Sequence, residues 1–230
     1  MASSTDTAIL SLAGVTLTET AASAGARRLD LELGRGEVAL LETGDDGDAA
    51  AEAMLDLCLG LTSPAAGDVA FAGEAWSSLS WHRALAQRGR VGLLTASQVW
   101  PQALSVAESV LMPTLYHSDT DEEDAIDAAT ALARRFGLPG LPVGRPEAMA
   151  AGELARAACV RAFIGSPELV VICDFTVESM AELAVAMAQA VREVQDRGGA
   201  VLWIVEALSA PAARHVAARH VVRFGDRGLV

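Results

Sequence analysis

Two stretches, Leu169–Cys173 and Ala200–Val205, are apolar at every position. Runs that short, bounded by Ser166-Pro167 and Gly198-Gly199, fit strands buried on both faces of a parallel sheet. Between them, Met180–Val194 carries apolar residues at helical spacing. Earlier in the chain the runs are shorter and mixed with polar positions. Ala8–Leu12, Val15–Thr18, Leu29–Leu33 and Val38–Glu42 read as strands, and a helical pattern follows Gly44–Asp48 through Leu59. Gly60–Gly67 breaks that pattern; Val69–Ala72 and Arg90–Thr95 read as strands on either side of a short helix at Trp81–Gln87. From Val106 to Gly137 the pattern is helical, with an acidic helix start at Asp119–Asp124 and Arg134–Arg135 at the far end, the polarity a helix dipole favours. A Gly/Pro-rich connection, Gly137–Pro146, leads to a helix from Glu153 to Ile164, and Val221–Phe224 closes the series. Mixed strands, then a helical block, then β-α-β alternation predict an α/β fold with a parallel core and an antiparallel N-terminal part.

The length, 230 residues, suits one large α/β domain or two small ones. The net charge of −13 argues against nucleic acid, an anionic membrane surface or a strongly anionic ligand held by general electrostatics. The N-terminal segment lacks a basic, apolar leader pattern, and no stretch is apolar for long enough to span a bilayer. Cys58, Cys159 and Cys173 sit in apolar runs as small buried hydrophobes, so neither a disulfide framework nor a zinc site is expected. The four histidines, His82, His117, His215 and His220, have no metal-ligand spacing. A serine hydrolase is disfavoured as well, because no G-x-S-x-G elbow occurs.

One absence changes the picture. The chain has no lysine: its 17 basic residues are all arginine. Yet Gly44–Ala51 lies between a strand pattern and a helical one, where a loop that cradles phosphates would stand. Such a loop needs G-x-x-x-x-G-K-[ST], with lysine on the β and γ oxygens and a hydroxyl on Mg²⁺. With Gly44 at the first position and Gly47 inside the loop, Ala49, Ala50 and Ala51 occupy the glycine, lysine and hydroxyl places. Asp45, Asp46 and Asp48 add carboxylates that would oppose a triphosphate by about 1 kcal/mol or more per close pair. The simplest role for them is in the turn, with Asp48 capping the next helix; an aspartate filling the vacated anion nest is the sharper alternative.

Several ordered segments resemble the ATP-binding subunits of ABC transporters. Leu59–Val69 looks like the stretch after that family's phosphate loop, and Ser105–Val110 with Met112-Pro113 resembles the segment after its Q-loop. Gly152–Arg156 through Arg161-Ala162 resembles the end of the signature motif and its helix, and Met149 to Glu206 keeps the family's spacing without a gap. The Q-loop side looks most like the branch handling lipoproteins, lipids and macrolides. This resemblance implies a single ABC-ATPase-like domain over residues 1–230, with a helical subdomain at about 104–165.

The same resemblance marks chemical losses. Cys173 stands at the family's Mg²⁺-supporting aspartate, Asp174 at its catalytic glutamate and Glu206 at its γ-phosphate-sensing histidine. A base must reach its water within about 2.6–3.2 Å, so the loss of a methylene alone could be crippling. Ala150 and Ala151 replace the signature serine and first glycine, leaving Gly152 and Glu153. Trp100, Pro101 and Leu104 fall, by resemblance, at the groove where a permease's coupling helix docks.

These features together point to a pseudo-ATPase. It would have no cofactor and no direct membrane insertion, and it would be cytoplasmic, held at the inner face of the cell membrane by a permease and paired with an intact ATPase. Two alternatives stand beside it. One is an ATP-binding subunit with a remodelled site, still taking ATP and Mg²⁺, with Arg90 or Arg156 in the lysine's place. The other is a freestanding cytoplasmic scaffold.

Overall fold

The computed structural model describes residues 8–17, 28–43, 47–95, 99–173, 180–205 and 218–223. Its strands form two sheets. The antiparallel one has the order β2-β1-β4-β5, built from β1 (Leu10–Thr16), β2 (Arg28–Leu33), β4 (Ala66–Phe71) and the two-residue β5 (Glu74–Ala75). The parallel one has the order β6-β7-β8-β3-β9, built from β3 (Val38–Glu42), β6 (Val91–Thr95), β7 (Leu169–Cys173), β8 (Ala200–Val205) and β9 (His220–Arg223). Both of the expected sheet types are present.

Alternation along the parallel strands explains their unbroken apolar character. In β7, Leu169, Val171 and Cys173 enter one core cluster while Val170 and Ile172 enter the other. In β8, Leu202 and Ile204 face the first cluster, Val201 and Trp203 the second. A strand covered on both faces has no polar position to spare. The antiparallel sheet and α1 (Gly47–Cys58) cover one face; α3 (Val106–His117), α4 (Glu122–Arg135), α5 (Ala151–Phe163) and α6 (Met180–Asp196) cover the other.

Three local readings change. The runs Ala8–Leu12 and Val15–Thr18 form one strand, β1, whose register shifts between Leu12 and Val15. Gly14 takes φ +60° there, and its amide donates to Asp30 Oδ1 at 2.5 Å, so the glycine makes a bulge and not a turn. The helical span from Val106 is two helices. Ser105 and Glu108 form a reciprocal capping box on α3, Ser118 ends that helix, and Asp121 caps α4 by accepting from the Glu123 amide at 2.9 Å. Finally, α1 already contains Gly47 and Asp48, so Asp48 lies within its first turn and not at a cap.

The remaining short helix, α2 (Trp81–Arg88), begins at Ser80. Trp81 is 68% exposed, its ring tilted against that of His82 with centroids 3.7 Å apart. Trp76 does pack, stacked on Phe71 at 5.9 Å. Among the described residues no helix is long and apolar enough to cross a membrane.

Candidate functional site

Open parallel sheets bind ligands beyond the carboxyl ends of their strands, where successive connections leave to opposite faces. That situation exists here. The helix after β3 packs on the antiparallel-sheet side, and the helix after β7 packs on the opposite side. The register brings Thr95 beside Cys173, Cys173 beside Ile204, and Val205 beside Glu42 along the carboxyl edge. Thr43 extends the pairing by one residue, its amide donating to the Val205 carbonyl at 2.9 Å.

From this edge α1 starts with its positive end toward the crevice, a favourable place for an anion. Its described side chains offer little to hold one. Ala50 and Ala51 are fully buried, their methyls in the apolar cluster with Leu41, Met54 and Val171. Cys173, 5% exposed at the end of β7, belongs to the same cluster. Gly47 is placed as backbone at the helix start. Gly44, Asp174 and Glu206, the other sequence-derived positions of this site, lie outside the described residues.

Neither arginine proposed for the lysine's role reaches this edge. Arg90 precedes β6, and Glu168 precedes β7, both at the amino ends of the strands. There Arg90 clamps Glu168 through Nε and Nη2, at 2.8 and 2.6 Å, and also bonds Gln87. Arg156, on α5, donates to the Phe136 carbonyl at 2.9 Å.

The signature-like residues Ala150, Ala151, Gly152 and Glu153 are all exposed at the start of α5. The Glu153 carboxylate accepts from the Ala150 amide at 3.1 Å, which is half of a capping box. Alanine at the cap position has no oxygen to return the bond. A side chain added at Gly152 would meet open space.

Trp100 is half-buried against the helical cluster. The Arg161 guanidinium lies over its ring, and Arg161 Nη1 bonds the Val99 carbonyl at 3.1 Å. Pro101 is exposed and Leu104 half-buried. The structure adds residues that the sequence reading passed over. Met112, Leu115 and Tyr116 are 45%, 37% and 69% exposed on the outer face of α3, at i, i+3 and i+4. Because α3 is apolar on nearly all sides, no periodicity marks which face is covered.

No family model matches the chain. It is similar to the lipoprotein-releasing system ATP-binding protein LolD of Pseudomonas syringae pv. tomato, 34% identical over 150 residues, 64% of this chain and 64% of that protein. It is also similar to the nickel import ATP-binding protein NikE of Pseudomonas putida, 29% identical over 181 residues, 77% of this chain and 65% of that protein. The relatives it resembles are ABC transporter ATP-binding subunits. It spans a little under two thirds of the length of these two relatives. Among solved structures, the dimeric ATP-binding cassette MJ0796 bound to ADP and Pi is similar in fold, with a TM-score of 0.75, 18% identity and 96% of both chains covered. An ATP-binding subunit of an ABC transporter gives a TM-score of 0.76 at 18% identity, covering 96% of this chain and 88% of that one. The LolD likeness agrees with the lipoprotein-side resemblance of the Q-loop segment.

Proposed function

We propose that this ABC subunit neither grips nor hydrolyses ATP and acts by protein–protein contact, docking on a membrane permease beside an intact ATPase subunit. The observation that carries the reading is the first turn of α1. Where the family places a lysine and a hydroxyl, Ala50 and Ala51 bury their methyls in apolar surroundings. Phosphate transfer depends on positioned positive charge, from lysine and from Mg²⁺ on its oxygen ligands. A buried thiol at Cys173 is a poor Mg²⁺ ligand, since that cation takes oxygen donors.

Function on such a frame resides in its surfaces, since a fold by itself prescribes no activity. The surfaces that support docking are the Trp100–Leu104 segment and the apolar outer face of α3. Exposed aromatic, methionine and leucine side chains together are the composition of an interface anchor. The partner would hold the subunit at the cytoplasmic side of the cell membrane. Co-purification from native membranes tests this: a permease and a second, lysine-bearing ATPase should accompany the chain, and recovery of the chain alone would favour the freestanding scaffold.

A further inference from the structure

A cavity of about 240 Å³ lies at the amino ends of β6 and β7, the end of the sheet opposite the phosphate-loop crevice. Its walls are the last turn of α3, the loop from α5 to β7, and the start of β6 at Arg90. Thr114, in that last turn, is 8% exposed, and among the described residues its hydroxyl has no hydrogen-bond partner. Among the same residues, orphan side-chain atoms sealed from solvent occur only at Trp76 and Trp100. The Thr114 oxygen is therefore orphaned but reachable, and the cavity it lines is the route. Gly165 keeps it open: a β-carbon at that glycine, where φ is +74°, would stand 2.9 Å from Oγ1. Buried hydroxyls are ordinarily bonded, so an unbonded one facing a cavity calls for an occupant.

Charge selects that occupant. Helix α3 is capped at Ser118 and α5 at Ile164, and both caps line the cavity. Each carboxyl end of a helix carries the equivalent of about half a negative charge. Arg90 does not offset them, because Glu168 neutralises it in place through bonds of 2.8 and 2.6 Å. The Arg161 guanidinium is turned to the Trp100 ring and the Val99 carbonyl. Two helix ends then leave a field of about one negative charge, which suits a monocation and disfavours an anion. We propose that this cavity binds an aliphatic ammonium ion, which donates to Thr114 Oγ1 and lies against the two helix ends. A short alkyl chain finds Pro113, Ile164 and Pro167 on the walls. The volume falls below the roughly 300–1,000 Å³ of drug-sized sites, so the ligand is small. This site is separate from the phosphate-loop crevice and does not depend on the docking reading.

The test is calorimetry and amide NMR on the full chain at pH 8, which keeps an imidazole such as that of His117, at the rim, neutral. The probes share a four-carbon chain: butylamine, butan-1-ol and butyrate. Butylamine should bind and shift the amides of Thr114, Ser118 and Gly165. Butan-1-ol should bind at least about tenfold more weakly, and butyrate not at all. Thr114→Val keeps the side-chain shape and should weaken butylamine about tenfold. Glu168→Gln leaves the Arg90 charge uncompensated and should abolish binding, with circular dichroism checking the fold. Nα-acetyl-lysine methylamide carries its ammonium on the same length of chain. Tighter binding than butylamine assigns the cation to a protein side chain, weaker binding to a free amine; either result keeps the site. A folded Thr114→Val chain that binds butylamine as the parent does would overturn the inference. So would alcohol or butyrate binding as tight as the amine's, or shifts confined to exposed carboxylates away from the cavity, the mark of general attraction to a chain of charge −13.

Discussion

The guanidinium of Arg161 sits 4.4 Å from the centroid of the Trp100 ring. It ties the segment that follows β6 to α5, because the same side chain bonds the Val99 carbonyl. Burial holds the Arg161 pKa below its ordinary value. A desolvated cation over an indole contributes about 1–2 kcal/mol. Trp100 therefore has a structural role in addition to the docking role proposed for its neighbourhood.

The two roles separate by substitution. Arg161→Ala should cost about 1–2 kcal/mol in urea unfolding, and Trp100→Ala about 2–3 kcal/mol, mostly from lost packing. The indole N–H of Trp100 is buried without an acceptor. Trp100→Phe removes that orphan donor while keeping the ring, so it should stay within about 1 kcal/mol of the parent. In pull-downs of the permease, Trp100→Ala should weaken assembly by about 1–3 kcal/mol. Gly152→Asp, which enters open space, should matter less; the reverse order would move the important surface to the start of α5.

Restoring the cap of α5 should stabilise the fold. Ala150→Ser would offer a side-chain oxygen to the Glu153 amide, which now donates to the Ala150 carbonyl at 3.0 Å, and complete the capping box half-formed by Glu153. The expected gain is about 1 kcal/mol, or roughly 2–4 °C in the melting temperature for a chain this size. An unchanged melt would mean that this helix end is already satisfied.

Glu37 gives a pH signature. Burial pushes its carboxyl up, but the Gly34 amide, His220 and Arg219 outweigh that and leave its pKa below the ordinary carboxylate value. With the folded pKa depressed, its contribution is fully present above the unfolded value and is lost as pH falls through the folded one. Relative to Glu37→Gln, the parent should lose its advantage progressively as pH falls below about 4.5. Urea titrations at several pH values would show this; an advantage that grew on acidification would contradict it.

Much of the fold was legible because burial leaves marks on composition. Strands β7 and β8 have the expected bounds since both of their faces are covered, so every position is apolar. The bulge at Gly14 was not legible, because a glycine between apolar runs marks a turn and a bulge equally well. Nor was the outer face of α3: a helix that is apolar all round does not encode which side its neighbours cover. At the crevice, the resemblance singled out Ala50, Ala51 and Cys173, and in the structure all three are buried. Asp174 and Glu206 lie outside the described residues.

A substitution at Asp174 bears on the chemistry directly. In a working ATPase, removing the general base lowers turnover by orders of magnitude. Here Asp174→Asn should leave transport-complex function intact in cells, because no water is being activated. A null phenotype with normal expression and folding would restore a catalytic role to this carboxylate.

The central claim is that the phosphate grip is gone, and calorimetric titration of the purified chain with Mg·ATP tests it most directly. The account predicts no association tighter than about millimolar, roughly −4 kcal/mol. A micromolar dissociation constant would contradict it.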